Sequence, residues 1–149
     1  MSARRGFKWD AANAELEVHV DGTEIAKFTA TAVTLNSAPT VSGRSTVTQA
    51  TNRSTGVTIN ATSGTITTNN ASLAAEASAV FVVTNSKVAA NDVVVLSMQS
   101  GSVALNTQVE VSAVAAGSFS ITVVNNNVAA GTAETGAILI NFVVIKSTA

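Results

Sequence analysis

Apolar residues recur along this chain with the period of a strand and nowhere, over a useful length, with that of a helix. The segment "ELEVHVDG" (Glu15–Gly22) alternates strictly, with Leu16, Val18 and Val20 on one face and Glu15, Glu17 and His19 on the other. Asp21-Gly22 is a hairpin turn signal and "TEIAKFTAT" supplies the return strand, so Glu15–Thr31 predicts a hairpin with one wet face. After the only proline, Pro39, further strands are expected over Ser45–Thr51, Gly56–Asn60, Gly64–Thr68, Ala77–Asn85, Asp92–Gln99, Asn106–Ala115, Gly117–Asn125 and Ala137–Lys146. Ala116-Gly117 joins two strictly alternating runs into a second hairpin. The best helix segment, Asn69–Ser78, is short and reads equally as a turn. The expected fold is all-β: an antiparallel, jelly-roll-like β-sandwich over 44–149, preceded by an N-terminal arm and β-hairpin over 1–43.

Three strands break the alternation. Val80–Val83, Val93–Leu96 and, except for Asn141, Ile138–Ile145 are apolar at successive positions, so both faces of each are water-averse. Either another subunit covers the second face, or the N-terminal hairpin and long loops cover it within the chain. In the subunit reading, Val93, Val95, Ile138, Ile140 and Phe142 are the interface residues. A compact homotrimer with these strands around its axis satisfies the pattern, and so does twofold closure.

Composition sharpens this picture. Only 11% of the 149 residues are charged, against about 25% in an ordinary domain. Thr, Ser and Asn provide the polar surface instead. The charges cluster in the first 28 residues (Arg4, Arg5, Lys8, Lys27, Asp10, Glu15, Glu17, Asp21 and Glu24), so the N-terminal segment differs in character from a nearly neutral body. A net charge of −1 gives no field that would collect nucleic acid. No apolar run approaches the roughly 20 residues that span a bilayer, and no apolar segment follows the two arginines as a secretory signal would need. The expectation is a chain made in a cytoplasm, with no membrane and no nucleic-acid partner.

Catalytic chemistry is poorly represented. There is no Cys and one His, His19, which sits on the polar face of an alternating strand between Glu17 and Asp21 and reads as a solvated imidazole. The carboxylates of the body are scattered singly, the glycines stand alone at turns, and "DGTE" (Asp21–Glu24) lacks the spaced ligands of a calcium loop. No enzyme activity, metal or cofactor is expected. The concentrated feature is "ARRGFKW": Arg4, Arg5, Phe7, Lys8 and Trp9 combine three cations with two aromatic anchors. It reads as an arm that docks onto a partner and orders there, or as a terminus whose Trp9 tucks against its own domain.

The opening, "RRGFKWDAANAELEVHVDGTEIAKFTATAVTLN", is similar to the start of small tailed-bacteriophage structural proteins. The body, from "NRSTGVTINATSG" through "AILINFVVI", resembles a β-sandwich module of phage capsid decoration (cement) proteins and of tail-fibre-type proteins. The resemblance implies a virion structural protein on the capsid exterior, a homotrimer seated on the shell of major capsid protein. The alternative within it is a head- or tail-fibre module that contacts host glycans. It carries over no functional residues, and the chain is too short for a whole fibre.

Overall fold

The computed structural model describes residues 6–35 and 43–147. The chain forms two compact units, Met1–Thr40 and Val41–Ala149. It is all-β, with twelve strands and no helix among the described residues.

The first unit is one four-stranded antiparallel sheet in chain order: β1 (Gly6–Asp10), β2 (Glu15–Val20), β3 (Thr23–Phe28) and β4 (Val33–Leu35). The β2–β3 turn has Asp21 at φ 50° and Gly22 at φ 81°, the pair of left-handed residues that a tight primed turn requires. The β1–β2 turn is held by Asp10, whose Oδ1 accepts from the backbone N–H of Ala12 at 2.9 Å. The expected hairpin is therefore the centre of a wider sheet, and Phe7, Lys8 and Trp9 of the expected arm are a strand of it. Arg4 and Arg5 lie outside the described residues.

The second unit is a sandwich of two four-stranded sheets. One has the order β10 (Thr107–Ala115), β11 (Ser118–Asn125), β8 (Ser78–Thr84), β6 (Val57–Thr58). The other has the order β5 (Arg44–Thr48), β7 (Ser63–Thr67), β12 (Leu139–Ile145), β9 (Val93–Ser100). Most ladders are antiparallel, and each sheet adds one parallel edge pair, β5 with β7 and β6 with β8. Strands β9 and β10 run close together on one margin and β5 and β6 on the other, which shields the open edges. The Asn69–Ser78 segment is not helical: Leu73 forms an isolated bridge with Glu134, and a turn at Ala75-Glu76, with Glu76 at φ 62°, leads into β8.

The core lies between the sheets: Phe81, Val83, Phe119, Ile121 and Val123 from one, and Ile66, Val94, Ile140, Phe142 and Val144 from the other, with Ile59 and Ile138 from the connections. The rings of Phe119 and Phe142 meet across the core at 5.5 Å. Gly64 is required here, because a Cβ would lie 2.8 Å from the Phe142 ring and 2.6 Å from the Ser45 carbonyl. Each two-faced run divides between core and surface. Phe81 and Val83 point inward from β8, and Val80 and Val82 outward. Of the five interface residues expected from sequence, Ile138, Ile140 and Phe142 are buried in the chain's own core and offer nothing to a neighbour. Val93 and Val95 face outward, 54% and 48% exposed.

At one end of the sandwich a buried carboxylate ties the connections together. Glu134 is fully buried between β11 and β12. Its carboxylate accepts from Ser102 Oγ at 2.5 Å, Thr107 Oγ1 at 2.7 Å and the backbone N–H groups of Gly136 at 2.7 Å and Val103 at 3.1 Å. Arg53, also buried, donates to the carbonyls of Ala71 (2.5 Å), Gly136 (2.8 Å) and Glu134 itself (3.1 Å). Burial alone would raise the Glu134 pKa, but the hydroxyl and backbone donors outweigh it and hold it at about 2. Burial likewise lowers the Arg53 pKa, opposed by the Glu134 charge. The β11–β12 connection passes so close to the β9–β10 connection that a Cβ on Gly136 would sit 1.8 Å from the Gly101 carbonyl oxygen.

Because the folded Glu134 pKa lies below the unfolded value of 4.5, its contribution is fully present above that value and is lost as pH falls toward 2. A displacement of this size is worth roughly 3 kcal/mol. Urea titrations should show the sandwich losing stability across that window, with Glu134→Gln both less stable at pH 7 and flatter in its pH response. An unchanged slope in the variant would contradict this role.

Candidate interaction surfaces

The pleat of the N-terminal sheet sorts its side chains by chemistry. The cross-strand registers align Phe7, Val18, Ala26 and Leu35 in one row and Trp9, Leu16, Phe28 and Val33 in a second, all on one face. Lys8, Asp10, Glu15, Glu17 and Lys27 occupy the other.

The charged face is internally paired. Lys8 Nζ donates to Glu17 Oε2 at 3.0 Å, His19 Nε2 lies 2.7 Å from the same oxygen, and Lys27 Nζ is 3.5 Å from Glu15 Oε2. The Glu17 pKa is lowered by its hydrogen bonds, His19 first and Lys8 second, and the Lys8 pKa is raised by the bond to Glu17. Glu15 and Glu17 are buried, which reverses the expected wet face: the long Lys8 and Lys27 side chains reach onto the glutamates and shield them. His19 is thus a half-buried partner of Glu17, not a solvated imidazole. Two trios, Glu17–His19–Glu24 and Asp10–Glu15–Glu17, bring their ligand atoms within 4.8 Å of one another, but the shared member, Glu17, is already bonded to Lys8 and His19.

The apolar face is largely open. Phe7 is 76% and Trp9 62% exposed, and Phe28, Val33 and Leu35 are exposed with them. Lys8 points away from Phe7 and Trp9, so these three residues of the expected arm divide between the two faces of the sheet. Sequence reasoning missed β1 and β4 because each is short. The Phe7/Trp9 alternation against Lys8/Asp10 was the available signal.

On the body, the outer face of the β5-β7-β12-β9 sheet holds a second apolar strip. Val93 pairs with Ile145 and Val95 with Val143, and all four point outward. Beside it lies a shallow groove of about 240 Å³, lined by Arg44, Ser63, Val95, Ser97, Asn141 and Val143 among others. Arg44 crosses three strands there: its guanidinium donates to Thr65 Oγ1 and, at 2.7 Å, to Asn141 Oδ1, and Thr65 Oγ1 lies 2.8 Å from the same Asn141 oxygen. At the far end of β12, Lys146 pairs with Asp92, whose carboxylate also accepts from Ala89 N–H at 2.7 Å; the Lys146 bond is the main cause of its lowered pKa. The body's other buried charges, Glu134 and Arg53, are enclosed by the chain.

No family model, curated protein or solved structure matches this chain.

One guanidinium nitrogen of Arg44, Nη2, adds to the β5–β7 ladder by tying edge strand β5 to side chains of both β7 and β12. Urea unfolding of Arg44→Ala should show a loss of about 1 kcal/mol. Arg44→Lys should recover only part of it, since its ammonium sits one bond nearer the backbone than Nη2 and reaches the two acceptors less well. Full recovery by lysine would show that charge alone is required.

Proposed function

We propose that this chain is a non-catalytic structural protein of a tailed-phage particle, a decoration protein that binds the shell of major capsid protein as an oligomer and stabilises it from outside. The observation that carries this reading is the presence of two sheet faces, one in each unit, on which apolar side chains stand open while the buried charges are bonded within the chain. A surface of this kind suits contact with other proteins better than chemistry on a small molecule. The homotrimeric state belongs to the same proposal, with Val93 and Val95 as its remaining interface residues. The earlier resemblance to phage decoration and fibre proteins supplies the setting.

The mechanism is mass action. A protein that binds only the mature shell lattice lowers the free energy of that lattice, and many weak contacts add up. Contacts made by Val, Phe, Trp, Thr and Asn lose little to screening, so attachment depends weakly on ionic strength.

Quantitative mass spectrometry of purified phage particles encoding this chain tests the reading. A copy number comparable to that of the major shell protein, retained on washing at raised salt, is expected. A copy number that is a small fraction of the shell protein's would favour the fibre module, and absence from the particle would overturn both. Loss of the protein between low and moderate salt would contradict the apolar mode of attachment.

A further inference from the structure

We infer that the groove on the outer face of the β5-β7-β12-β9 sheet binds the carboxylate of a small aliphatic acid, with Arg44, Ser63 and Asn141 as its donors. Such a site does not depend on the shell-binding reading.

Alternation along the four strands sends uncharged side chains to this face, Arg44 excepted. Among the described residues no carboxylate pairs with Arg44. Its bonds to Thr65 Oγ1 and Asn141 Oδ1 both come from Nη2, so the other N–H groups of the guanidinium remain as donors. A lone cation on a neutral sheet becomes a site only where further donors converge on it, and two do.

The first is Ser63. It stands directly across from Arg44 in the β5–β7 register and from Val143 in the β7–β12 register. It is two residues from Thr65, whose hydroxyl meets Arg44 and Asn141 on the outer face, so the pleat turns Ser63 the same way, into the groove. Ser63 is only 7% exposed, and its Oγ is the one buried side-chain polar atom among the described residues with no hydrogen-bond partner. Folded chains pair nearly all such groups, so an orphaned hydroxyl calls for a partner from outside. The second donor is Asn141. Its Oδ1 accepts from both Arg44 and Thr65, which orients the amide and leaves Nδ2 to donate. The acceptors of this cluster are used within it, and what it still offers are donors.

The donor set selects the ligand. One guanidinium charge suits a monoanion better than a phosphate dianion, and its planar fork suits a planar carboxylate. Val143, between Ser63 and Val95 in the registers, gives an alkyl group an apolar floor. The groove holds about 240 Å³, below the roughly 300 Å³ at which drug-sized sites begin, so the acid is short. The Ser63 hydroxyl is closed to solvent until the exposed Arg44 arm, held through Nη2 alone, draws aside with the carboxylate it binds. With so few contacts the affinity is in the millimolar range. A subunit contact through Val93 and Val95 would use the β9 margin and close that end of the groove, leaving the donors on β5, β7 and β12 open.

Titration of the isotopically labelled full chain with sodium butyrate at constant ionic strength, followed by NMR of side-chain amide and methyl signals, is the test. Saturable shifts of the Asn141 amide and the Val143 methyls are expected. Butyramide, of the same shape without the charge, should produce none. Arg44→Gln should abolish saturation. Ser63→Ala breaks no bond within the chain, so it should leave the fold and its stability intact while raising the butyrate dissociation constant about fivefold. Shifts that rise without saturating, equal shifts from butyramide, or tighter binding of inorganic phosphate would overturn the proposal. So would a butyrate affinity unchanged in Arg44→Gln or in Ser63→Ala.

Discussion

A strand's pleat sends successive side chains to opposite sides, whatever their chemistry. In the N-terminal sheet, strict alternation in β1 and β2 collects charge on one face and Phe7, Trp9, Leu16 and Val18 on the other. In the sandwich, strands that are apolar at every position must leave half of that surface outside: β9 buries Val94 but exposes Val93 and Val95. Neither unit can remove its outward apolar side chains by repacking, because a one-residue slip would exchange them for core residues in the sandwich and for the paired charges in the N-terminal sheet. Both units thus present outward apolar side chains that their own layers leave unburied.

The sandwich itself is made rigid at one end by charge. In a body nearly free of ionisable groups, Glu134 and Arg53 are both buried, and between them they bond the segments around residues 53, 71, 102–104, 107 and 134–136. A buried charge without partners is costly, so the loop end is held in the one arrangement that supplies all the donors and acceptors. Gly101 and Gly136 belong to the same device, since only residues lacking a Cβ let the two backbones approach. The ordinary hydrophobic core then accounts for the sheets, and the polar plug for the connections between them.

Much of the sandwich was legible in the sequence because its strands announce themselves by β-branched runs bounded by Gly, Asn and Ser. The turn at Asp21-Gly22 was legible for a similar local reason. Three things were not. Which half of a two-faced strand faces the core depends on partners distant in sequence, so Ile138, Ile140 and Phe142 read as interface and are core. The burial of Glu15 and Glu17 depends on Lys8 and Lys27 from neighbouring strands. Glu134 read as one scattered carboxylate among several. A lone acid between Gly131 and Gly136 in a stretch otherwise without charge was the available signal, but its donors come from a connection about thirty residues away.

If surface left outward by the pleat is what this chain uses, its side chains should change accessibility when copies meet. Hydroxyl-radical footprinting of the full chain in concentrated and dilute solution measures this residue by residue. The account predicts that Val93 and Val95 react more slowly in the concentrated sample, while Val80 and Val82 on the β10-β11-β8-β6 sheet react equally in both. Equal reactivity of Val93 and Val95 at all concentrations, at the rate of freely exposed side chains, would contradict it.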